Sequence, residues 1–478
     1  MLKTELHYFS YFLSTKKFQQ QLIHYCKHMH AILSSMHTTV IRFAVPICFL
    51  CLHSYAFTAK PIEVVEVIQA VPSIEMQQWR IGDSDYEIDL ATVIDTEHKP
   101  ILGNLAIVAF EKVEGKNLAI KITPLAIASA SVSDGPYIFI DENKQLTSIT
   151  MRNGLVHKDT LLVEQEITPI QTTIPSVPTI KISSFLTAPA QNSFPMPKKL
   201  LALSDIEGNL EHLITFLQFH TVIDAEFKWS WGKNHLLFNG DSVDRGDHVT
   251  ELLWFMRELQ QQAINAGGNV HVVLGNHEAM ILANDIRYTH PKYKFVAQRI
   301  GIPYHALFGE QSILGDWLRA QNAIVQVGKY LFVHAGYGPE LDALQLTKEE
   351  INISVRENLG PPAWTDRTAL ETSLVWHSKG PLWYRGYFEK HGESYGPQPT
   401  SKEIEAILTR NHASTIVVGH TVTGTIGWLD GDKRLIGIDV HWDTIGEGQG
   451  LLISDGKQIR VTMTETDAEL EYVSTTKN

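Results

Sequence analysis

The chain has 478 residues, more than one ordinary domain holds, and at 44% hydrophobic and 19% charged it has material for two or three globular domains. A formal net charge of −13 argues against a nucleic-acid or anionic-membrane partner, though not against a small phosphorylated molecule met through a metal ion. All three cysteines, Cys26, Cys48 and Cys51, precede residue 52, so downstream chemistry needs no thiol, and any metal there must be held by Asp, Glu, His or Asn.

Residues 1–59 read as a targeting segment. Phe43 to Leu52 is an apolar run too short to span a bilayer, which takes about 20 residues. Arg42 precedes it, and the small residues of Ser54-Tyr55-Ala56, or Ala59, offer a cleavage site. Met36 fits a signal-peptide start better than Met1 does. The expectation is a mature chain beginning near Phe57 or Lys60, periplasmic or secreted, without stable membrane association after cleavage. An uncleaved N-terminal anchor is the alternative.

Residues 60–186 form a β-rich stretch. Tyr86 to Leu90, Leu105 to Phe110, Leu118 to Ile122 and Tyr137 to Ile140 are strand-like runs, and Asn153-Gly154 between Ser148–Arg152 and Leu155–Val156 predicts a hairpin. No catalytic constellation lies there, so it reads as an accessory domain. Residues 187–197 carry three prolines and read as a linker.

Residues 198–465 alternate strands and helices, and 466–478 read as a flexible tail. Lys199 to Ser204 is a buried strand breaking into Asp205-Ile206-Glu207-Gly208, followed by a helix with Leu210, Leu213, Ile214 and Leu217. Leu236-Leu237-Phe238 breaks into Asn239-Gly240-Asp241-Ser242-Val243-Asp244-Arg245-Gly246. A helix follows, with Val249, Leu252, Leu253, Met256 and Leu259 at spacings of three and four. Val270 to Leu274 breaks into Gly275-Asn276-His277-Glu278. A helical insertion spans Ala279 to Gln321. Tyr330 to Val333 breaks into His334-Ala335-Gly336, and Thr415 to Val418 into Gly419-His420-Thr421. Closing strands are expected near 435–441, 450–453 and 458–463.

Five apolar strands thus end in polar clusters, where ligands bind in α/β sheets. Residues i and i+2 of a strand end share a face, which would let Asp205 and Glu207 grip one ion. Carboxylates, imidazoles and one amide suit Mn²⁺, Fe, Zn²⁺ or Mg²⁺. The candidate ligands outnumber what one ion needs and fit a two-metal site with a shared carboxylate. The ordinary alternatives are a solvated turn for Asp241 and Asp244, core histidines for His334 and His420, and stacking among Trp383, Tyr384 and Tyr387 for Arg385. His271, inside a strand, and His441 read as structural. The aromatic stretch Trp376 to Phe388 reads as core more than as a substrate platform.

The clusters, with Gly240 to Gly246 and Gly275 to Glu278 foremost, resemble the phosphoprotein-phosphatase branch of the calcineurin-like metallophosphoesterases. Gly380 to Phe388 and Val417 to Thr421 are similar to the Shewanella-like group of that branch, which includes a cold-active protein tyrosine phosphatase. The resemblance covers residues 199–463, and more weakly the β-rich stretch. It implies an α/β fold, a four-layer β-sandwich flanked by helices. It also implies two divalent metal ions, Mn²⁺ favoured over Fe, Zn²⁺ or Mg²⁺. Asp205, Glu207 and Asp241 would hold the first, and Asp241, Asn276, His334 and His420 the second. A hydroxide between them would attack phosphorus in line. Arg245 and Arg385 would clamp the phosphoryl oxygens, and His277, held by Asp244, would protonate the leaving oxygen. Glu207 departs from the family, which usually has His there. Its added charge shifts preference toward Mn²⁺ or Mg²⁺.

The expected activity is hydrolysis of phosphomonoesters, whether aryl phosphates or phosphoproteins, phosphotyrosine included. Hydrolysis of dinucleoside polyphosphates or other phosphodiesters on the same core, or a binding module with a degenerate metal site, are the rival readings. Nothing in the sequence sets the oligomeric state.

Overall fold

Runs such as Leu200 to Leu203 and Leu236 to Phe238 are apolar at every position, so strands built from them need cover on both faces. They have it in the structure, a computed structural model. It describes residues 62–70, 78–81, 84–87, 93–94, 104–113, 116–161, 166–167, 180–181, 187–360, 369–370, 373–388, 391–395, 397–429, 433–473 and 475. Two sheets stack face to face. The first has six strands, in the order 269–273, 235–239, 199–203, 449–454, 457–462 and 468–469. The second has seven, in the order 193–194, 324–327, 330–333, 415–418, 435–437, 427–429 and 472–473.

Strand alternation divides each apolar run between two cores. Leu200, Ala202, Leu237 and Val273 point inward and meet Val325, Phe332, Val417 and Ile436 of the other sheet. Leu201, Leu203, Leu236 and Phe238 point outward, into a core shared with the helices Leu210–Phe219 and Val249–Asn265. On the far side Leu331, Val333, Ile416 and Val418 pack with Ile351, Val355, Ile404 and Ile407 of the helices Lys348–Glu357 and Ser401–Arg410. Helix, sheet, sheet, helix is the four-layer arrangement expected. Truncating one such leucine to alanine costs about 2–5 kcal/mol.

Topology gathers the polar clusters. Lys199–Leu203, His235–Asn239 and Asn269–Val273 run parallel in the first sheet, as Tyr330–Val333 and Thr415–Val418 do in the second. The turns after all five strands supply the site residues other than Arg385, which comes from the loop stretch 380–388.

Asn153-Gly154 joins Leu146–Arg152 to Leu155–Leu161, with φ of 50° and 76° at the two turn residues, as a two-residue hairpin requires. With Asp134–Ile140 these strands form a three-stranded sheet. Its Tyr137, Ile138, Leu146 and Met151 belong to the same core as the helix Val249–Asn265, and one compact unit runs from Glu63 to Asn478. Two expectations need correction. Residues 187–197 do not run free as a linker: Ser193–Phe194 forms an edge strand beside Ile324–Val327. The expected tail closes both sheets, Ala468–Glu469 pairing with the strand Lys457–Thr462 and Tyr472–Val473 with Gly427–Leu429. In both segments the backbone pairs with an edge strand whose amides and carbonyls would otherwise stay open. Residues 1–61, with the expected targeting segment, lie outside the described residues. Among the described residues no helix is long and apolar enough to cross a membrane.

Candidate metal centre

Each of the five strands stops at a turn, and three of these turns share an uncommon backbone. Asp205, Glu207, Asp241, Asp244, Arg245 and His420 all have φ between 49° and 69°, although none is glycine. Left-handed non-glycine residues cost about 1–3 kcal/mol each and persist only where surroundings fix them. Asp205 and Glu207 are therefore not placed by i, i+2 strand alternation as expected, since both sit in a left-handed turn rather than an extended strand end. Hydrogen bonds fix that turn to its neighbour. Asp205 N–H donates to Gly240 C=O at 3.1 Å, Glu207 N–H to Asp241 C=O at 2.9 Å, and Gly208 N–H to Ser242 C=O at 2.9 Å.

Glu278 ties the next two turns together. Its Oε2 accepts from Gly275 N–H at 2.7 Å and Asp241 N–H at 3.1 Å, and its Oε1 from Ser242 N–H at 2.8 Å. The approach leaves no room for a side chain at Gly275, where a Cβ would collide with the Asp241 carboxylate.

Asp241 is the centre. Its Oδ2 lies 3.1 Å from His334 Nε2 and 3.8 Å from His277 Nε2. Donor atoms of Asp241, His334 and His420 fall within 4.8 Å of one another, and so do those of Glu207, Asp241 and His277. One end of the Asn276 amide lies 3.1 Å from His334 Nε2, 3.3 Å from Asp241 Oδ2 and 2.8 Å from His420 Nδ1. His334 Nδ1 is 2.8 Å from Asn239 C=O, which orients the other ring nitrogen toward Asp241. Asp205 belongs to neither three-residue group. Its Oδ2 accepts from Ser204 Oγ and His420 N–H.

His277 Nδ1 lies 2.9 Å from Asp244 Oδ2, while Thr289 Oγ1 donates to Asp244 Oδ1 at 2.8 Å. Arg245, half exposed, forms an ion pair with Glu207, and Arg385 Nη1 donates to Thr421 Oγ1 at 2.9 Å. The structure thus brings together all ten residues singled out by sequence in the turns and loops at one end of the sandwich. Trp376, Tyr384, Tyr387 and Phe388 are buried, so the aromatic stretch is core as expected. His271 is buried against His235, its Nε2 3.0 Å from the neighbouring Nδ1. His441 is exposed, contrary to a structural role, because it lies past the end of its strand.

Electrostatics identifies what the cluster is built to hold. Burial pushes Asp205 up to about 6, Glu207 to about 7 and Glu278 to about 7, and pushes Asp439 well above the carboxylate range, with neighbouring carboxylates adding to each. Burial also opposes charge on Asp241, but His334 and His277 overcome it and hold that carboxyl low. Burial works against charge on His277 too, yet Asp241 and Asp244 push it up to about 9. His420 goes the other way: burial and then Arg385 hold it neutral, the form that ligates metals. Its Nε2 is buried with no hydrogen-bond partner among the described residues. Five crowded carboxylates, a neutral imidazole with an orphaned nitrogen and a buried amide fit divalent cations.

Sequence reasoning gave no role to Glu278, Asp439, Thr289 or Tyr288. Asp439 was within reach of the rule that found the others, since it follows a short apolar strand. Glu278 stands three residues past Gly275 at a helix start, a capping position. Tyr288 gave no signal, because it comes from a loop. Its ring, 46% exposed, lies 5.1 Å from that of His277, and its C=O accepts from Arg245 N–H at 3.0 Å.

Similarity to known proteins agrees with this geometry. The calcineurin-like phosphoesterase family matches residues 198–424. The crystal structure of the cold-active protein-tyrosine phosphatase of a psychrophilic Shewanella species is 31% identical. The match covers 71% of this chain and 99% of that one, with a TM-score of 0.64. Shewanella-like protein phosphatase 1 of Plasmodium berghei is 27% identical over 228 residues, 47% of this chain and 61% of that protein. The symmetrical bis(5'-nucleosyl)-tetraphosphatase of Chromobacterium violaceum is 32% identical over 180 residues, 35% of this chain and 58% of that protein. The chain therefore spans about three fifths of the length of each of these last two. With the sandwich, the five turns and near-complete coverage of a solved relative in agreement, the chain belongs to the calcineurin-like phosphoesterases, hydrolases of phosphoesters that work with divalent metal ions.

Proposed function

We propose that the chain is an exported phosphomonoesterase that favours aryl phosphates, phosphotyrosine among them, and works with two metal ions, Mn²⁺ preferred. Asp205, Glu207 and Asp241 would hold one ion, and Asp241, Asn276, His334 and His420 the other. When bound, the cations supply Lewis acidity: they make water acidic enough to attack phosphorus and offset charge on the phosphoryl oxygens. The chain's own residues do the rest. Arg245 and Arg385 present guanidinium donors to those oxygens. His277, its ring oriented by Asp244 at Nδ1, delivers the proton on Nε2 to the leaving oxygen.

The observation that carries the aryl preference is the half-exposed Tyr288 ring beside His277. The leaving group departs on the side of its proton donor, so an aromatic leaving group would meet an aromatic face. Symmetrical hydrolysis of dinucleoside polyphosphates is the second reading. It is favoured by the similarity to the Chromobacterium enzyme and by the same ring, which could stack on a base.

Purified chain loaded with Mn²⁺ is offered phosphotyrosine, an alkyl phosphate and a dinucleoside tetraphosphate. The expected order of kcat/KM is phosphotyrosine first. Faster cleavage of the dinucleoside to two diphosphates would replace this reading with the second. Metal analysis near zero and no turnover of any substrate would leave a degenerate binding module. Export is checked by N-terminal sequencing of the native protein, and an intact Met1 or Met36 would overturn it.

A further inference from the structure

A second cluster of buried charge lies behind the site, and nothing in the chemistry above uses it. Lys292, on the helix Pro291–Ile300, is buried, and its Nζ lies 3.5 Å from Asp134 Oδ1 and 3.7 Å from Glu251 Oε1. Asp134 opens the first strand of the three-stranded sheet and is fully buried, while Glu251 belongs to the helix after the Asp241–Gly246 turn. Tyr137, from the same strand as Asp134, hydrogen-bonds Asp134, and its hydroxyl lies 3.2 Å from Thr250 Oγ1. A buried lysine is costly unless paired, and here the pairing comes from two separate parts of the chain. Burial disfavours its charge, but Asp134 and then Glu251 hold the amine charged.

Two further hydrogen bonds of this helix reach the segment that leaves the catalytic turn. Lys292 Nζ donates to Asp247 C=O at 2.6 Å, and Tyr293 Oη accepts from Val249 N–H at 2.6 Å. These two bonds bracket the exit of the segment whose entry carries Asp244 and Arg245, at φ of 69° and 54°. Two successive left-handed residues cost about 1–3 kcal/mol each, so the chain relaxes out of that shape unless it is pinned. On the entry side the pins are Arg245 N–H to Tyr288 C=O and Gly246 N–H to Glu207 C=O, at 3.0 and 2.8 Å. On the exit side, Lys292 and Tyr293 supply them.

We propose that Lys292, anchored by Asp134 of the three-stranded sheet, is a positioning residue for Asp244 and Arg245, which makes that sheet part of the active-site machinery. The inference rests on the roles given above to His277, Asp244 and Arg245. Relaxation of the turn would move Asp244 away from His277 and cost proton delivery to the leaving group. It would also move Arg245 and cost phosphate binding.

The test uses the full chain loaded with Mn²⁺ and the variants Lys292→Met, Asp134→Asn and Tyr293→Phe. Two readouts are taken: amide hydrogen exchange across residues 244–249 against the strand 235–239, and turnover of p-nitrophenyl phosphate against an alkyl phosphate. The expected result is faster exchange confined to 244–249, with kcat on the alkyl phosphate falling about 10²-fold, the scale of a small misplacement. The loss on p-nitrophenyl phosphate, a good leaving group, should be smaller. Unchanged exchange at 244–249 in folded variants, or equal losses on both substrates, would overturn the proposal. If Lys292→Met does not fold, Tyr293→Phe and Asp134→Asn decide it, since one removes a single hydroxyl and the other preserves shape. Wild-type protein inactive on both esters would remove the proposed function, and the exchange readout alone would then judge the positioning.

Discussion

The Asp244 carboxylate stands 2.9 Å from His277 Nδ1, and the two residues come from turns after different strands of the first sheet. Thr289 holds the other carboxylate oxygen, so Asp244 cannot swing away without breaking a second bond. This pairing orients Nε2 of His277 and supports its proton. His277→Asn should lower kcat by about 10²–10⁴ on an ester with a poor leaving group and by less on a good one. Asp244→Asn should follow the same pattern with a smaller loss. Steady-state kinetics on a series of leaving groups checks both, and a loss independent of leaving group would exclude a proton donor.

Tyr288→Ala should reduce kcat/KM for phosphotyrosine by about 2- to 12-fold, the range that one aromatic pair is worth. An alkyl phosphate should be little affected, because it has no ring to lose. Tyr288→Phe should retain the wild-type preference. Equal effects on both substrates would mean the ring does not contact the leaving group.

Glu207→His should keep the fold and change the metal dependence. With Glu the proposed first site has three carboxylates, Asp205, Glu207 and Asp241, and favours hard ions. Imidazole is neutral and softer and suits Zn²⁺ and Fe better. The variant also frees Arg245 from its ion pair with Glu207, so KM should not rise. Activity with Zn²⁺ or Fe relative to Mn²⁺ should increase, while Glu207→Ala should lose most activity with every metal. Full activity and full metal content in Glu207→Ala would show that Glu207 is no ligand.

Acid should destabilise the protein through His235 and His271, far from the metal centre. Burial pushes them down to about 4 and about 3, below their ordinary 6.5. Between pH 6.5 and those values the unfolded chain binds protons that the folded chain refuses. The stability these two histidines contribute is therefore full above pH 6.5 and is lost as the pH drops toward their lowered values. The double variant His235→Val, His271→Val should show a shallower fall of Tm between pH 7 and pH 5. An unchanged slope would assign the acid sensitivity elsewhere.

Much of this site was legible because its residues sit at one kind of place, the first few positions after an apolar run. Period-two burial then placed Leu200 and Ala202 on one core and Leu201 and Leu203 on another without further information. What escaped was set by backbone shape and by distant packing. The left-handed φ of Asp205 and Glu207 leaves no mark in residue type, so strand alternation does not describe how these two carboxylates are placed. Tyr288 reaches His277 from a loop whose path nothing local dictates. Asp134 and Lys292 lie 158 positions apart in the chain, and neither carries a motif. Ser193–Phe194 and Tyr472–Val473 were too short to read as strands, since two residues show no period.

The pairing of Tyr472–Val473 with Trp428–Leu429 bears on how this protein should be handled. Those last residues cover backbone amides and carbonyls at the rim of the second sheet, as Ala468–Glu469 covers the rim of the first. A recombinant product trimmed at residue 465, or clipped there by a protease, would keep every catalytic side chain while baring two hydrogen-bonding rims at once. Such rims recruit strands from other molecules. Loss of soluble yield, rather than loss of turnover per molecule, is what shortening this end should produce.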